Sequence, residues 1–170
     1  MNPLFVIMDT LVEIPPKIQT REVVRAVIMR GSEMLLMFSS RDQMFGTPGG
    51  GIGFNESKLD ALYRETLEEV GAAKVKILEH LGFTEEIRES RSQMRPMKIL
   101  TDYYHIEVPE FVENSLEEHE EEMGLVPMWV NLDVAIETNK KVLANLHEDK
   151  LSFYTTQTQM LQYFKDRFVH

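Results

Sequence analysis

One stretch, GGIGFNESKLDALYRETLEEVGA at residues 50–72, limits what this chain can fold into more than any other. Glycines stand at positions 49, 50, 51 and 53, and the stretch closes on Gly71. Ser57 followed by Asp60 has the form of a capping box, and Gly71 stands where a glycine stop belongs. The spacing therefore predicts a helix over residues 58–70. At about 100° per residue, Glu65, Glu68 and Glu69 share one face, at spacing i, i+3, i+4. Leu59, Leu62, Tyr63, Thr66 and Val70 form another face, which is expected to pack on a sheet. The fold must bury one side of this helix while presenting acids beside a glycine loop.

The surroundings supply strands. Residues 22–30 and 33–38 are nearly continuous apolar runs joined at Gly31-Ser32, which predicts two strands buried on both faces. Residues 74–84, 97–108 and 126–131 also read as strands, and residues 4–8 as an extra strand or an oligomer contact. Helices are expected near 132–138 and over 156–168, where Met160, Leu161, Phe164 and Phe168 fall at helical spacing. Irregular alternation of strands and helices points to an α/β fold, a mixed sheet covered by helices on both faces.

Three carboxylates on one helix face repel one another and raise one another's pKa unless something offsets them. Arg64, four residues before Glu68, can form an ion pair along the helix. A hard divalent cation such as Mg²⁺ prefers oxygen ligands and also accepts water and phosphate oxygens. The glycine loop lets backbone approach a ligand closely and can add carbonyl oxygens. Acid-rich helix faces are also common as ordinary solvated surfaces. Here the loop, the helix and the clustered acids together read as a site for metal-bridged polyphosphate.

The pattern Gly50, Glu56, Arg64-Glu65, Glu68-Glu69 and Gly71, led in by Thr47-Pro48-Gly49, resembles the signature box of the Nudix hydrolase family. Thr66 and Ala72 stand where larger aliphatic residues are usual, Asn55 replaces a common glycine, and Gly53 stands where an acid is frequent. The resemblance implies a Nudix-type α/β/α sandwich with a mixed β-sheet, and hydrolysis of a phosphoanhydride bond aided by Mg²⁺, with Mn²⁺ as a possible substitute. It implies metal ligation by Glu65, Glu68, Glu69 and the Gly50 carbonyl, with Glu56 joined to the cluster through Arg64. It also implies that a loop glutamate ahead of Trp129-Val130, Glu121 or Glu122, completes the metal site or acts as general base. The implied organisation is an N-terminal extension (1–20), a Nudix domain (21–138) and a C-terminal helical segment (139–170) packed on the same domain. Nucleoside triphosphates and nucleotide sugars such as ADP-ribose are the implied substrates. A catalytically silent module that senses nucleotides is the second expectation.

Composition narrows the partners. The formal net charge is −10, which sets the chain's overall field against nucleic-acid backbones and anionic lipid. There is no cysteine, in keeping with a reducing cytoplasm, and no apolar run of membrane-spanning length. The expected partner is a small-molecule nucleotide. A homodimer is the default oligomer, through the extra strand or the stripe of the last helix, although both features equally suit completing a monomer's core. The locally basic segment 88–98 reads as a phosphate grip or as a solvated hairpin loop. Of the strand aromatics, one of Tyr103 and Tyr104 is expected to face inward.

Overall fold

The computed structural model describes residues 2–8, 16–89, 95–116, 118, 121, 123–145 and 151–169. In chain order the elements are β1 (Phe5–Met8), β2 (Gln19–Val27), β3 (Met29–Arg30), β4 (Glu33–Ser39), β5 (Met44–Gly46), α1 (Lys58–Val70), β6 (Ala72–Glu89) and β7 (Pro96–Phe111). They are followed by β8 (Leu125–Asn131), α2 (Leu132–Leu143) and α3 (Leu151–Phe168).

The strands form two sheets. In the first, the order is β1-β6-β7-β2, with β1 parallel to β6, β6 antiparallel to β7, and β7 parallel to β2. In the second, β4 pairs antiparallel with β3, β5 and β8. Side-chain alternation along the strands then feeds two separate cores. Val24 and Ala26 of β2, Leu35 and Met37 of β4, and Tyr104 and Ile106 of β7 pack with Ala61, Leu62 and Val70 of α1. Val27, Met34, Leu36 and Tyr103 point the other way, onto Leu132 and Ile136 of α2 and Met160, Leu161 and Phe164 of α3. Helices thus cover both faces of the strands, the α/β/α layering expected for a mixed sheet.

This two-sided cover explains the apolar runs at 22–30 and 33–38. It also corrects the expectation for the tyrosine pair: Tyr103 and Tyr104 are both buried, because each face of β7 has its own helix. Burial among apolar groups pushes the Tyr103 hydroxyl up to about 12.

α1 runs over the predicted residues, and its start is the predicted box: the Ser57 hydroxyl accepts from Asp60 N at 3.1 Å and donates to its carboxylate at 2.6 Å. Its stop, Gly71, has φ 70°, and its N–H donates to Leu67 O at 3.0 Å. The packed face differs from expectation. Leu59 and Tyr63 are exposed, and the buried stripe is Ala61, Leu62, Glu65, Thr66, Glu69 and Val70. Two of the three clustered glutamates therefore point into the protein.

The expected strands 74–84 and 97–108 form one long hairpin, because β6 and β7 stay paired out to Glu89 opposite Pro96. Arg88 pairs with Glu86 at 2.9 Å and Lys98 with Glu85 at 2.8 Å. Part of the basic segment thus neutralises its own strands, while 90–94 lies outside the described residues. The two features put forward for a dimer are both used within the chain: β1 lies on β6, and the α3 stripe fills a core. No helix among the described residues is long and apolar enough to cross a membrane.

Candidate active site

The glycine loop hangs from one edge of β2. Val24 N donates to Gly50 O at 2.9 Å, Ala26 N to Pro48 O at 2.8 Å, and Ile52 N to Glu22 O at 3.1 Å. This lays residues 48–52 alongside the strand and turns them toward α1. Glycine at position 50 leaves room for the Glu65 carboxylate, which a Cβ would displace. Gly50 O keeps one lone pair beyond its bond to Val24.

Glu65 and Glu69 are buried at the junction of helix and loop, and Glu69 Oε2 accepts from Gly49 N at 2.5 Å. Burial pushes the Glu65 carboxyl up, against the pull of the Arg64 guanidinium beside it. Arg64 is the organiser. Its Nε and Nη2 donate to the two oxygens of Glu56 at 2.9 and 3.0 Å. Nη1 donates to Glu65 at 2.7 Å and to Glu68 at 3.3 Å, and Nη2 also to Gly51 O at 3.1 Å. All five N–H donors of the fork are engaged, which raises the Arg64 pKa still further. Glu56 is held down to about 2 by Arg64 first, then by the Gly53 N–H at 2.7 Å.

The fold therefore brings Gly50, Glu56, Arg64, Glu65, Glu68 and Glu69 together. Among the described residues, no three acids or histidines converge on one point as a metal cluster. The reason is visible: Arg64 sits among Glu56, Glu65 and Glu68 and takes an oxygen of each. The donor set itself is carboxylate and carbonyl oxygen only, the chemistry that suits a hard cation. Glu121 is exposed and does not line the cavity described next, although its neighbour Met123 does. Glu122 lies outside the described residues.

Beside the glutamates opens a cavity of about 490 Å³. Its lining combines polar groups, Arg21, Arg25, Gly49–51, Arg64, Glu65 and Glu69, with apolar ones, Met37, Met44, Phe45, Met123, Leu125 and Phe153. A smaller cavity adjoins it at Arg21, Arg25, Arg88 and Gln157. Reasoning from sequence missed several of these residues. Arg25 carries a signal in retrospect, as a charge inside the apolar run EVVRAVIM. It donates to Thr47 O at 2.7 Å.

Two helix amides hold the entry to the loop and were also missed. Asn139 of α2, fully buried, accepts from Phe45 N at 2.8 Å and donates to Phe45 O at 2.9 Å, serving β5 as a strand partner would. Gln157 of α3 accepts from both Thr47 N and Thr47 Oγ1 at 3.1 Å. Gln157 lies on the helix expected to pack through Met160, Leu161 and Phe164, and Asn139 falls just beyond the expected helix near 132–138.

A model of the NUDIX domain matches residues 19–154. The fold is that of the Nudix class, hydrolases that act on phosphoanhydride bonds, and the chain belongs to this family. Its fold is similar to the solution structure of the E. coli ORF135 protein, at 22% identity over 88% of this chain and 94% of that one, with a TM-score of 0.51. It is similar to a NUDIX hydrolase from Nitrosomonas europaea, at 19% identity over 85% and 90%, with a TM-score of 0.55. It is also similar to the C. elegans Ap4A hydrolase, at 19% identity over 89% and 98%, with a TM-score of 0.52. At these identities the likeness concerns the fold. No curated protein matches the chain.

Proposed function

We propose that this protein hydrolyses a phosphoanhydride bond in a nucleoside diphosphate linked to a further group, such as a nucleoside triphosphate or an ADP-ribose-like nucleotide sugar. The observation that carries this reading is the placement of buried Glu65 and Glu69 against Gly49 and Gly50, on the wall of a cavity that Arg21 and Arg25 also line. The cavity volume falls in the usual range for small-molecule sites, roughly 300–1,000 Å³.

Glu65, Glu68, Glu69 and the Gly50 carbonyl are the proposed ligands of Mg²⁺, with Mn²⁺ as a substitute. When bound, the ion offsets negative charge at the phosphates and lowers the pKa of the attacking water. The chain's own residues do the positioning. Arg64 holds Glu65 and Glu68 in place and ties them to the Glu56 side of the loop. Arg21 and Arg25 supply positive charge where a polyphosphate enters, so a net-negative protein still attracts its substrate locally. Glu121 or Glu122 remains the proposed residue that completes the metal site or acts as general base. A small nucleotide in a cytoplasmic setting is the proposed context, with residues 139–170 part of the same working unit and homodimerisation as the default assembly.

The test is hydrolysis of a panel of nucleoside triphosphates, nucleotide sugars and dinucleoside polyphosphates with Mg²⁺, with and without chelator, by the native protein and by Glu69→Gln. Cleavage at an anhydride that chelator abolishes and Glu69→Gln lowers by roughly 10- to 100-fold or more is the expected result. Binding without cleavage of any compound would overturn the enzyme reading in favour of a nucleotide-sensing module.

A further inference from the structure

The cavity lining mixes charged groups with apolar ones that give little direction. A flat heterocycle held against Met44, Phe45 or Phe153 would meet surfaces that accept any base. Discrimination needs a directional hydrogen bond, and most polar side chains there are already committed. Ser39 Oγ donates to Met123 O at 3.3 Å and accepts from Asp42 N at 3.1 Å. The Tyr154 hydroxyl donates to Asp42, and the Thr47 hydroxyl donates to Gln157.

Gln157 itself is 3% exposed and lines both cavities. Its orientation is dictated by chemistry. The Thr47 backbone N–H can only donate, so the amide atom facing it is the carbonyl oxygen. Thr47 Oγ1 donates to that same oxygen, also at 3.1 Å, so both lone pairs are used. The Nε2 group, with two N–H donors, has no acceptor among the described residues and is left for whatever occupies the cavity.

We propose that Gln157 Nε2 reads the base of the substrate and selects an oxo-bearing ring, such as guanine, hypoxanthine, uracil or thymine, over adenine. This rests on the nucleotide reading above and deepens it. A free amide recognises adenine well, because its oxygen accepts from the exocyclic amine while its nitrogen donates to N7. Here Thr47 has taken the oxygen. What remains is donor only, which opposes the adenine amine and suits a ring carbonyl, or the adjacent O6 and N7 acceptors of guanine.

Calorimetric titration of the 5′-monophosphates GMP, UMP and AMP tests this on the intact protein. The native protein should bind GMP or UMP at least about tenfold more tightly than AMP, the scale of one well-placed hydrogen bond to a desolvated donor. Gln157→Glu keeps an oxygen for Thr47 and replaces the donors with an acceptor. It should abolish or invert that ratio, whereas a merely structural role would weaken all three ligands by the same factor. Thr47→Val provides a second route: it returns one lone pair to Gln157 and should raise AMP affinity relative to GMP. Native AMP binding equal to or tighter than both others would overturn the proposal, as would unchanged ratios in both variants or no binding of any monophosphate. Unchanged ratios beside intact Mg²⁺-dependent hydrolysis would sink this inference alone. Shifted ratios with no hydrolysis would sink only the enzymatic reading.

Discussion

Gly49 and Gly50 are neighbours with different reasons to be glycine, and the difference makes a sharp pair of expectations. At Gly49, φ is +126°, and an added Cβ would overlap the Val24 carbonyl, which is backbone and cannot move aside. Gly49→Ala should therefore destabilise the whole protein, by about 1–3 kcal/mol or more, as read by urea denaturation. At Gly50 the obstacle is the Glu65 carboxylate, the far end of a flexible side chain. Gly50→Ala should fold with a near-native melting temperature while displacing Glu65, so hydrolysis should fall steeply even though stability holds. Glu56 gives a pH expectation. Its carboxyl is depressed in the folded state from 4.5 to about 2, so the stabilisation is present above the ordinary value and is lost as pH falls through that interval. Glu56→Gln should flatten this part of the acid limb in urea midpoints measured between about pH 5 and pH 3.

Among the elements, α1 is the one most completely written in its own residues. Ser57→Ala removes the hydroxyl that caps Asp60 N, and should cost about 1 kcal/mol in chemical denaturation. Cap, stop and acid spacing act within a turn or two of chain, so they can be read locally. Which face of α1 packs could not be read that way. Leu59 and Tyr63 are more apolar than Glu65 and Glu69, yet the glutamates are buried because Gly49, Gly50 and Arg64 receive them. The same holds for β5 and the ends of β6 and β7. Met44–Gly46 is too short to show alternation, and its strand geometry is completed by Asn139, far along the chain. The hairpin reaches Glu89 and Pro96 because pairing continues through residues that look like loop by composition. The acidic half of the site was legible, since it lies in one segment. The cavity wall made by Arg21, Arg25 and Gln157 was not, since only the tertiary fold brings those residues together.

For the molecule as a whole, α3 is a structural wall as well as part of the candidate site. Met160, Leu161 and Phe164 are fully buried against the strands, and Phe164 packs on Tyr103 at a centroid distance of 5.6 Å. Phe164→Ala should cost about 3–5 kcal/mol, measured by chemical denaturation, and substrate binding should weaken along with it because Gln157 rides on the same helix. The edge of β2 opposite the glycine loop adds a consequence for time. That edge is secured by a parallel partner, with Gln19 opposite Met97 and Val27 opposite His105. β1 likewise meets β6 in parallel, with Phe5 opposite Thr84. Parallel neighbours so far apart along the chain must close large loops before any contact repays the lost entropy, which slows folding into roughly the millisecond-to-second range. Helix α1 can form early on its own signals, but the loop that faces it is strung from β2. The candidate pocket is therefore expected to form late in folding, and a nascent chain that already carries every clustered glutamate should lack the assembled site until β7 has docked.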